Sequence, residues 1–388
     1  GVLTPIYKFS QNIPNYLLTW EKSYNTNIGI DAAFLNNRID VSMEYYNTKT
    51  KDVIWNKALP VINGAFSPDG GPKANYTTNL NMCETSNKGF ELALNTRNII
   101  TKNFIWSSSV TFNHNKEKIT KLSGGDSDVL NNGDTGYALA LGEAINSYYH
   151  YKLDGVWQKG EETDAAVFGA APGDLKINIP NLVKESDGRF YKIDEETGSA
   201  AVDENGNVIY YTSDNKYTPS DADYQILGHN SPDWSLGFQN NFTWKDFDLS
   251  VFVYARYGQM FAYDMLTSYD PKGIRNFPTY FNYWTENNPS NDFPAANANK
   301  GLEQYTGYYA LRYVDGSFIK IKNITLGYSL PKSILKSAGI EKCRFYATIT
   351  NPFVFAKSHL LKDYDPEMNG SLKYPLTKQF VFGVNVTF

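Results

Sequence analysis

The residues able to do chemistry in this chain of 388 residues are few and scattered. The four histidines stand at 114, 150, 229 and 359 and the two cysteines at 83 and 343, and no Walker loop, H-E-x-x-H or G-x-S-x-G occurs. This spacing provides neither a nucleophile with its base nor a metal-ligand set, so no enzymatic activity is expected. Two distant cysteines likewise give no disulfide framework. Asp203-Glu204-Asn205-Gly206-Asn207 has oxygen ligands at alternate positions, as the opening of a calcium loop does. Val208 stands where that loop needs glycine, and no suitably spaced Glu closes it. No cofactor is expected, calcium in loops of this kind being the weakest of candidates. Asp363, Asp365 and Glu367 form a second acidic cluster that either holds a cation or, around Pro366, turns a corner. Trp157, Trp284 and the run Tyr305, Tyr308, Tyr309 carry faces that stack on sugars or press against a capping protein, and that equally well pack a loop against itself.

The elements that must position these residues are strands. Phe380, Phe382, Val384, Val386 and Phe388 alternate with Val381, Gly383, Asn385 and Thr387, one face apolar and the other smaller or more polar. Aromatics make up 15% of the chain, with 29 Tyr, 23 Phe and 7 Trp, which suits strands carrying interfacial girdles. No apolar run of about 18 residues occurs, which excludes transmembrane helices. The net charge of −5 argues against a nucleic-acid surface, for which clustered Lys and Arg are needed.

Alternation of this kind predicts nine crossings, at 24–35, 38–54, 87–98, 104–115, 234–244, 247–256, 317–330, 342–351 and 378–388. Turns such as Asn36-Asn37, Lys102-Asn103 and Lys245-Asp246 are short, whereas the segments 55–86, 115–233, 257–316 and 352–377 are long and polar. Long loops at one end and tight turns at the other are the habit of an outer-membrane barrel, and are uncommon in a compact soluble domain. Residues 145–157 read as a strand within the second long loop, part of a hairpin above the membrane. In 317–330 the apolar parity changes between Ile321 and Ile324, which predicts a β-bulge near Lys322-Asn323. Lys320 and Lys322, on the parity opposite to Ile319 and Ile321, are expected to face the lumen.

Parity also sets sidedness. With the last strand ending in the periplasm, the first of nine also runs inward, so residues 1–23 are expected to be the end of an extracellular loop and 24–388 the barrel part. An odd count does not close the even-stranded single-chain barrel, and the first residues carry neither an initiator Met nor a signal peptide. The chain therefore reads as a piece of a longer protein.

The order and spacing of several motifs then resemble the C-terminal portion of the SusC/RagA-like TonB-dependent transporters of Bacteroidetes. They are Leu18-Thr19-Trp20-Glu21-Lys22 before Asn27-Ile28-Gly29-Ile30-Asp31, Ile226-Leu227-Gly228 with Pro232-Asp233-Trp234, Trp284-Thr285-Glu286-Asn287-Asn288-Pro289, Ile321-Lys322-Asn323-Ile324-Thr325-Leu326-Gly327-Tyr328, and Asp363-Tyr364-Asp365-Pro366-Glu367. The resemblance implies an all-β fold: nine C-terminal strands of an antiparallel transmembrane barrel of about 22, plugged by a domain this chain lacks. It implies energised import of oligosaccharides or peptides with a SusD-like surface lipoprotein as partner, and coupling to the TonB complex through the N-terminal plug and barrel portion. Phe388 resembles the terminal aromatic signal read by the barrel-assembly machinery. The reading from a different class is a surface glycan-binding or adhesive β-protein without transport.

Overall fold

A computed structural model describes residues 12–59, 76–122, 129–131, 137–268, 272, 279–336 and 339–388. Residues 1–11 of the expected first external segment, and 60–75, 123–128, 132–136, 269–271 and 273–278 of the long loops, lie outside the described residues. Nine long strands form the main path of one sheet: β1 (Lys22–Phe34), β2 (Ile39–Ala58), β3 (Thr77–Ile100), β4 (Phe104–Leu122), β5 (Trp234–Trp244), β6 (Phe247–Tyr257), β7 (Phe318–Ser329), β8 (Lys342–Ala356) and β9 (Gln379–Thr387), and the two-residue strand Asn12–Ile13 joins it parallel to the start of β3. The nine long strands pair antiparallel in chain order from β1 to β9, and β1 and β9 do not pair with each other. This is the nine-strand partial barrel expected from the alternation.

The tight turns fall at one end because their residues take the conformations such turns require. Leu35, Asn36 and Asn37 all have φ between 55° and 59°, and Lys245 has φ 53°. Asn tolerates this left-handed region better than most residues, which makes Asn36-Asn37 a natural hairpin. The alternating apolar residues meet in continuous rows across the sheet. Phe345 lies opposite Val384 and Tyr328, and Tyr328 in turn lies opposite Phe247. The outer face so formed exposes Ile28, Ile30, Met43, Leu326, Phe382 and Val384. The opposite face carries Glu44, Glu91, Asn113, Gln239, Asp248, Thr325 and Arg344. Arg344 reaches Asp248 across β7 at 2.8 Å through its Nε.

One exception to the apolar outer face satisfies itself. Trp106 Nε1 and Ser108 Oγ both donate to Asn240 Oδ1, at 3.0 and 2.8 Å, Asn98 donates to Ser108 Oγ at 2.8 Å, and Thr96 donates to Asn98 at 2.8 Å. Polar groups on an apolar face find little else to pair with, so mutual pairing is what makes the cluster tolerable there.

Several strands run past the ends that alternation predicted. β2 extends to Ala58, β3 starts at Thr77, β4 reaches Leu122 and β8 reaches Ala356, which shortens the loops expected at 55–86, 115–233 and 352–377. The cause is register. Between β2 and β3 the pairing shifts at Thr50/Val53 and again at Val53/Ile54, with Asp52 at φ 58°, so a simple period of two ends where the ladder continues. β3 has 24 residues, whereas about 9–11 tilted residues cross a bilayer, so β2–β4 form a sheet much longer than one crossing requires. The bulge expected near Lys322-Asn323 is present: Val253 pairs with Ile321 and Phe252 with Asn323, leaving Lys322 as the extra residue.

The segment 145–157 differs from the expected hairpin by breaking at Tyr151. Ser147–His150 joins a four-stranded sheet beside Gln225–His229 and Tyr137–Ala140, whereas Lys152–Val156 pairs with Leu175–Asn178. The long loops have a core of their own, built from Phe261, Tyr263, Leu266, Phe281, Trp284 and Phe293 among others.

In the assembled barrel, Phe382→Arg on the outer face is expected to lose about 2–4 kcal/mol, as a cation near the bilayer midplane does. Asn385→Arg on the opposite face should lose far less. Denaturant titration of the two variants in lipid vesicles checks this difference.

Candidate functional site

The inner face of the sheet and the loops folded over it meet at a buried ionic node. Lys320 and Lys322 leave β7 on the same side because they are two residues apart, and the bulge at Lys322 returns Ile324 and Leu326 to the outer face after them. Lys320 is 0% exposed, and its ammonium lies 2.5 Å from Asp365 and 2.8 Å from Glu367. Lys322 reaches the other oxygen of Glu367 at 2.6 Å. Asp365 also accepts the backbone N–H of Glu367 at 3.1 Å, capping the one-turn helix Pro366–Met368. The acidic cluster therefore turns a corner around Pro366 and takes two lysines of its own chain as its cations.

Electrostatics follow from that arrangement. Burial pushes the Glu367 carboxyl upward, but hydrogen bonds from Lys320 and Lys322 outweigh it and hold the group below its ordinary 4.5. Asn369, in the left-handed conformation just after the helix, accepts from Gln259 at 2.6 Å and joins this corner to the neighbouring loop. Gly370 is required here because a Cβ would come 2.0 Å from the Ala262 carbonyl oxygen. The loop 357–378 and the loop after β6 are thus clamped together over the lumen-facing side of β7.

Most of the aromatic candidates lie inside the loop core. Trp157 is buried, stacked on Phe168 at 5.6 Å with Lys176 Nζ 4.4 Å from its ring. Trp284 is buried and donates to Gln158 at 2.9 Å. Tyr305 and Tyr308 are buried too, with the Tyr305 hydroxyl on the Ala295 carbonyl at 3.2 Å. Tyr309, 51% exposed, presents its ring to solvent. The structure brings Trp284, Tyr305 and Tyr308 into one core and leaves Tyr309 as the member available for contact. Phe388, at the end of the chain beyond β9, is exposed. The Asp203 carboxylate is engaged by its own turn, accepting from the N–H groups of Asn205 and Asn207 at 2.8 and 2.9 Å.

Two further arrangements escape a reading of the sequence. Asp223, fully buried, accepts from Lys192 at 2.6 Å, from the Tyr217 hydroxyl at 2.6 Å and from the Ser220 N–H at 2.9 Å. Burial raises its pKa, and these donors more than reverse that and hold it below 3.8. His150 stacks on Tyr224 at 4.8 Å, and burial, aided by the Arg312 charge, lowers its pKa to about 4, so the imidazole is neutral at physiological pH. Lys and Asp 31 residues apart, or a His among tyrosines, give no periodic signal. The strand parity of Lys320 and Lys322 does give their direction, though not their partners Asp365 and Glu367.

Residues 3–171 match the family described as TonB dependent receptor-like, beta-barrel. TonB-dependent receptor P3 of Formosa agariphila is 28% identical over 393 residues, covering 96% of this chain and 34% of that protein. TonB-dependent receptor SusC of Bacteroides thetaiotaomicron is 27% identical over 384 residues, covering 96% of this chain and 32% of that protein. The chain thus spans about a third of the length of these curated relatives. Among solved structures, that of the RagAB peptide transporter superposes with a TM-score of 0.68 at 24% identity, over 95% of this chain and 36% of the other, a likeness of fold.

Removing one partner of the node should be costly. Lys320→Met is expected to destabilise the loop clamp by about 3–5 kcal/mol, because Asp365 and Glu367 lose the fully buried ammonium they share and stay mostly shielded from water. Increased protease cleavage within 357–378 is the readout. Acid should act in the same direction: the stability contributed by Glu367 is complete above its unfolded pKa of 4.5 and is lost as pH falls below that through the lower folded value. Hydrogen exchange of the 357–378 backbone, followed from pH 6 downward, should therefore stay slow until about pH 4.5 and accelerate below it.

Proposed function

We propose that this chain is the C-terminal wall of a SusC-type TonB-dependent receptor, an outer-membrane importer of oligosaccharides or peptides, as its likeness to the TonB-dependent receptor barrel model and to SusC and its relatives supports. The observation that carries the reading is the sheet itself: nine long antiparallel strands, apolar outside and polar inside, with β1 and β9 both open edges among the described residues. A self-contained adhesive module would have to cap or cover such edges. In a barrel they are the two seams at which the remaining strands join.

In this proposal, the N-terminal part supplies the plug, about thirteen further strands and the contact to the TonB complex. The loops above β5–β9, clamped at Lys320, form one side of the lumen mouth. A SusD-like lipoprotein caps that mouth, and Tyr309 is the loop aromatic offered to the cap or to the cargo. Polar groups along the inner face, such as Glu44, Glu91 and Asn113, face the plug and the transport path.

Uptake in a strain carrying the complete receptor tests the proposal. Removing the segment 318–388 should abolish TonB-dependent uptake of either an oligosaccharide or a peptide panel, and Tyr309→Ala should weaken it several-fold with the barrel intact. Unchanged uptake of every member of both panels after the truncation would overturn the importer reading.

A further inference from the structure

The upper end of β8 has a free flank. Pairing with β9 stops at Thr350, which lies opposite Gln379. β8 nonetheless continues to Ala356, paired with β7 at Phe353, Val354, Phe355 and Ala356. On its other side residues 351–356 have no strand neighbour among the described residues. Asn351, with φ 54°, marks the point of departure, and its side-chain amide donates to the Thr377 carbonyl at 3.0 Å. Six residues of unpaired edge span about 20 Å.

The loop 357–378 leaves that flank empty because it is tied elsewhere. Lys320 holds Asp365 and Glu367 over the lumen side, and Tyr364 packs on Tyr263 at 4.3 Å and donates to the Ser371 carbonyl at 3.1 Å. What remains is a cavity of about 770 Å³ between β8 and the loop, lined by Val354, Phe355, Leu361, Leu372, Pro375 and Leu376. Leu372 and Leu376 are exposed. Lys362, Lys373 and Lys378 stand around it, none of them ion-paired among the described residues, against the carboxylates of Asp363 and of Asp365, the latter held by Lys320, so the rim is net positive. An unpaired strand edge beside an apolar cavity is the arrangement by which sheets accept an added strand.

We infer that this cavity receives an extended apolar segment, with acidic residues at its flank, from the remaining part of the same receptor. The segment is the stretch leaving the extracellular end of the strand that pairs with β9. This rests on the proposed barrel reading and goes beyond it. The chain covers about a third of its relatives, so most of the receptor lies outside it. β9 descends from Gln379, so an antiparallel neighbour ascends and emerges beside Gln379, at the cavity mouth formed by Leu376 and Lys378. The cavity is continuous with the seam, and its unpaired lysines favour an acidic flank.

Site-specific photo-crosslinking in the complete receptor, in native outer membranes, tests the assignment. A benzophenone side chain replaces Leu372, or Leu376 in a second variant, and a third variant carries it at Asn385 on β9 as a seam control. The expected result is that the Asn385 probe links to a strand of the N-terminal part. The Leu372 and Leu376 probes then link to residues that follow that strand directly. Seam links from Asn385 together with cavity links only to a separate lipoprotein, only within 351–378, or to nothing, would overturn the inference and leave the barrel reading standing. Absence of any Asn385 link to the N-terminal part would overturn both.

Discussion

A backbone inside a bilayer has no water to pair with, so every N–H and C=O at that depth must find its partner within protein. The rest of this structure depends on that constraint. It explains why nine strands run in an unbroken antiparallel order, why the polar cluster around Asn240 on the outer face satisfies itself, and why β1 and β9 cannot remain as they stand. Two open edges in hydrocarbon would not be a tolerable end state. In the proposed receptor they are seams of a larger closed wall.

In the long loops a different force takes over. The loops are too polar to fold by burial alone, and they are held by a small aromatic core and by charges desolvated in matched sets. The Lys320–Asp365–Glu367–Lys322 node ties a loop to a barrel strand, and the Lys192–Asp223–Tyr217 set ties a hairpin to the segment after it. Buried pairs of this kind contribute less to net stability than to fixing one arrangement among several. For a surface that would have to meet a capping partner, a fixed arrangement is the useful property.

The sheet was legible because side-chain parity is a direct record of a two-sided environment. Phe380, Phe382 and Val384 announce the lipid face, and the change of parity between Ile321 and Ile324 announces the bulge at Lys322. Strand ends were less legible, since two register shifts near Asp52 hide the continuation of β2 and β3 from a period of two. The loops were hardest. Trp157, Trp284, Tyr305 and Tyr308 look identical in sequence whether they face solvent or fill a core, and burial placed them in the core. The inward direction of Lys320 was readable from parity, while its partners 45 and 47 residues away depend on how a loop returns across the lumen.

The central claim is that both edges of this sheet are seams within one larger barrel. A cryo-EM reconstruction of the receptor purified from outer membranes tests it most directly. The expected result is a strand of the N-terminal part hydrogen-bonded along Lys22–Phe34 and another along Gln379–Thr387, closing a wall of about 22 strands. A map in which Lys22–Phe34 pairs with Gln379–Thr387 to close these nine strands on themselves, or in which either edge lies unpaired, would contradict it.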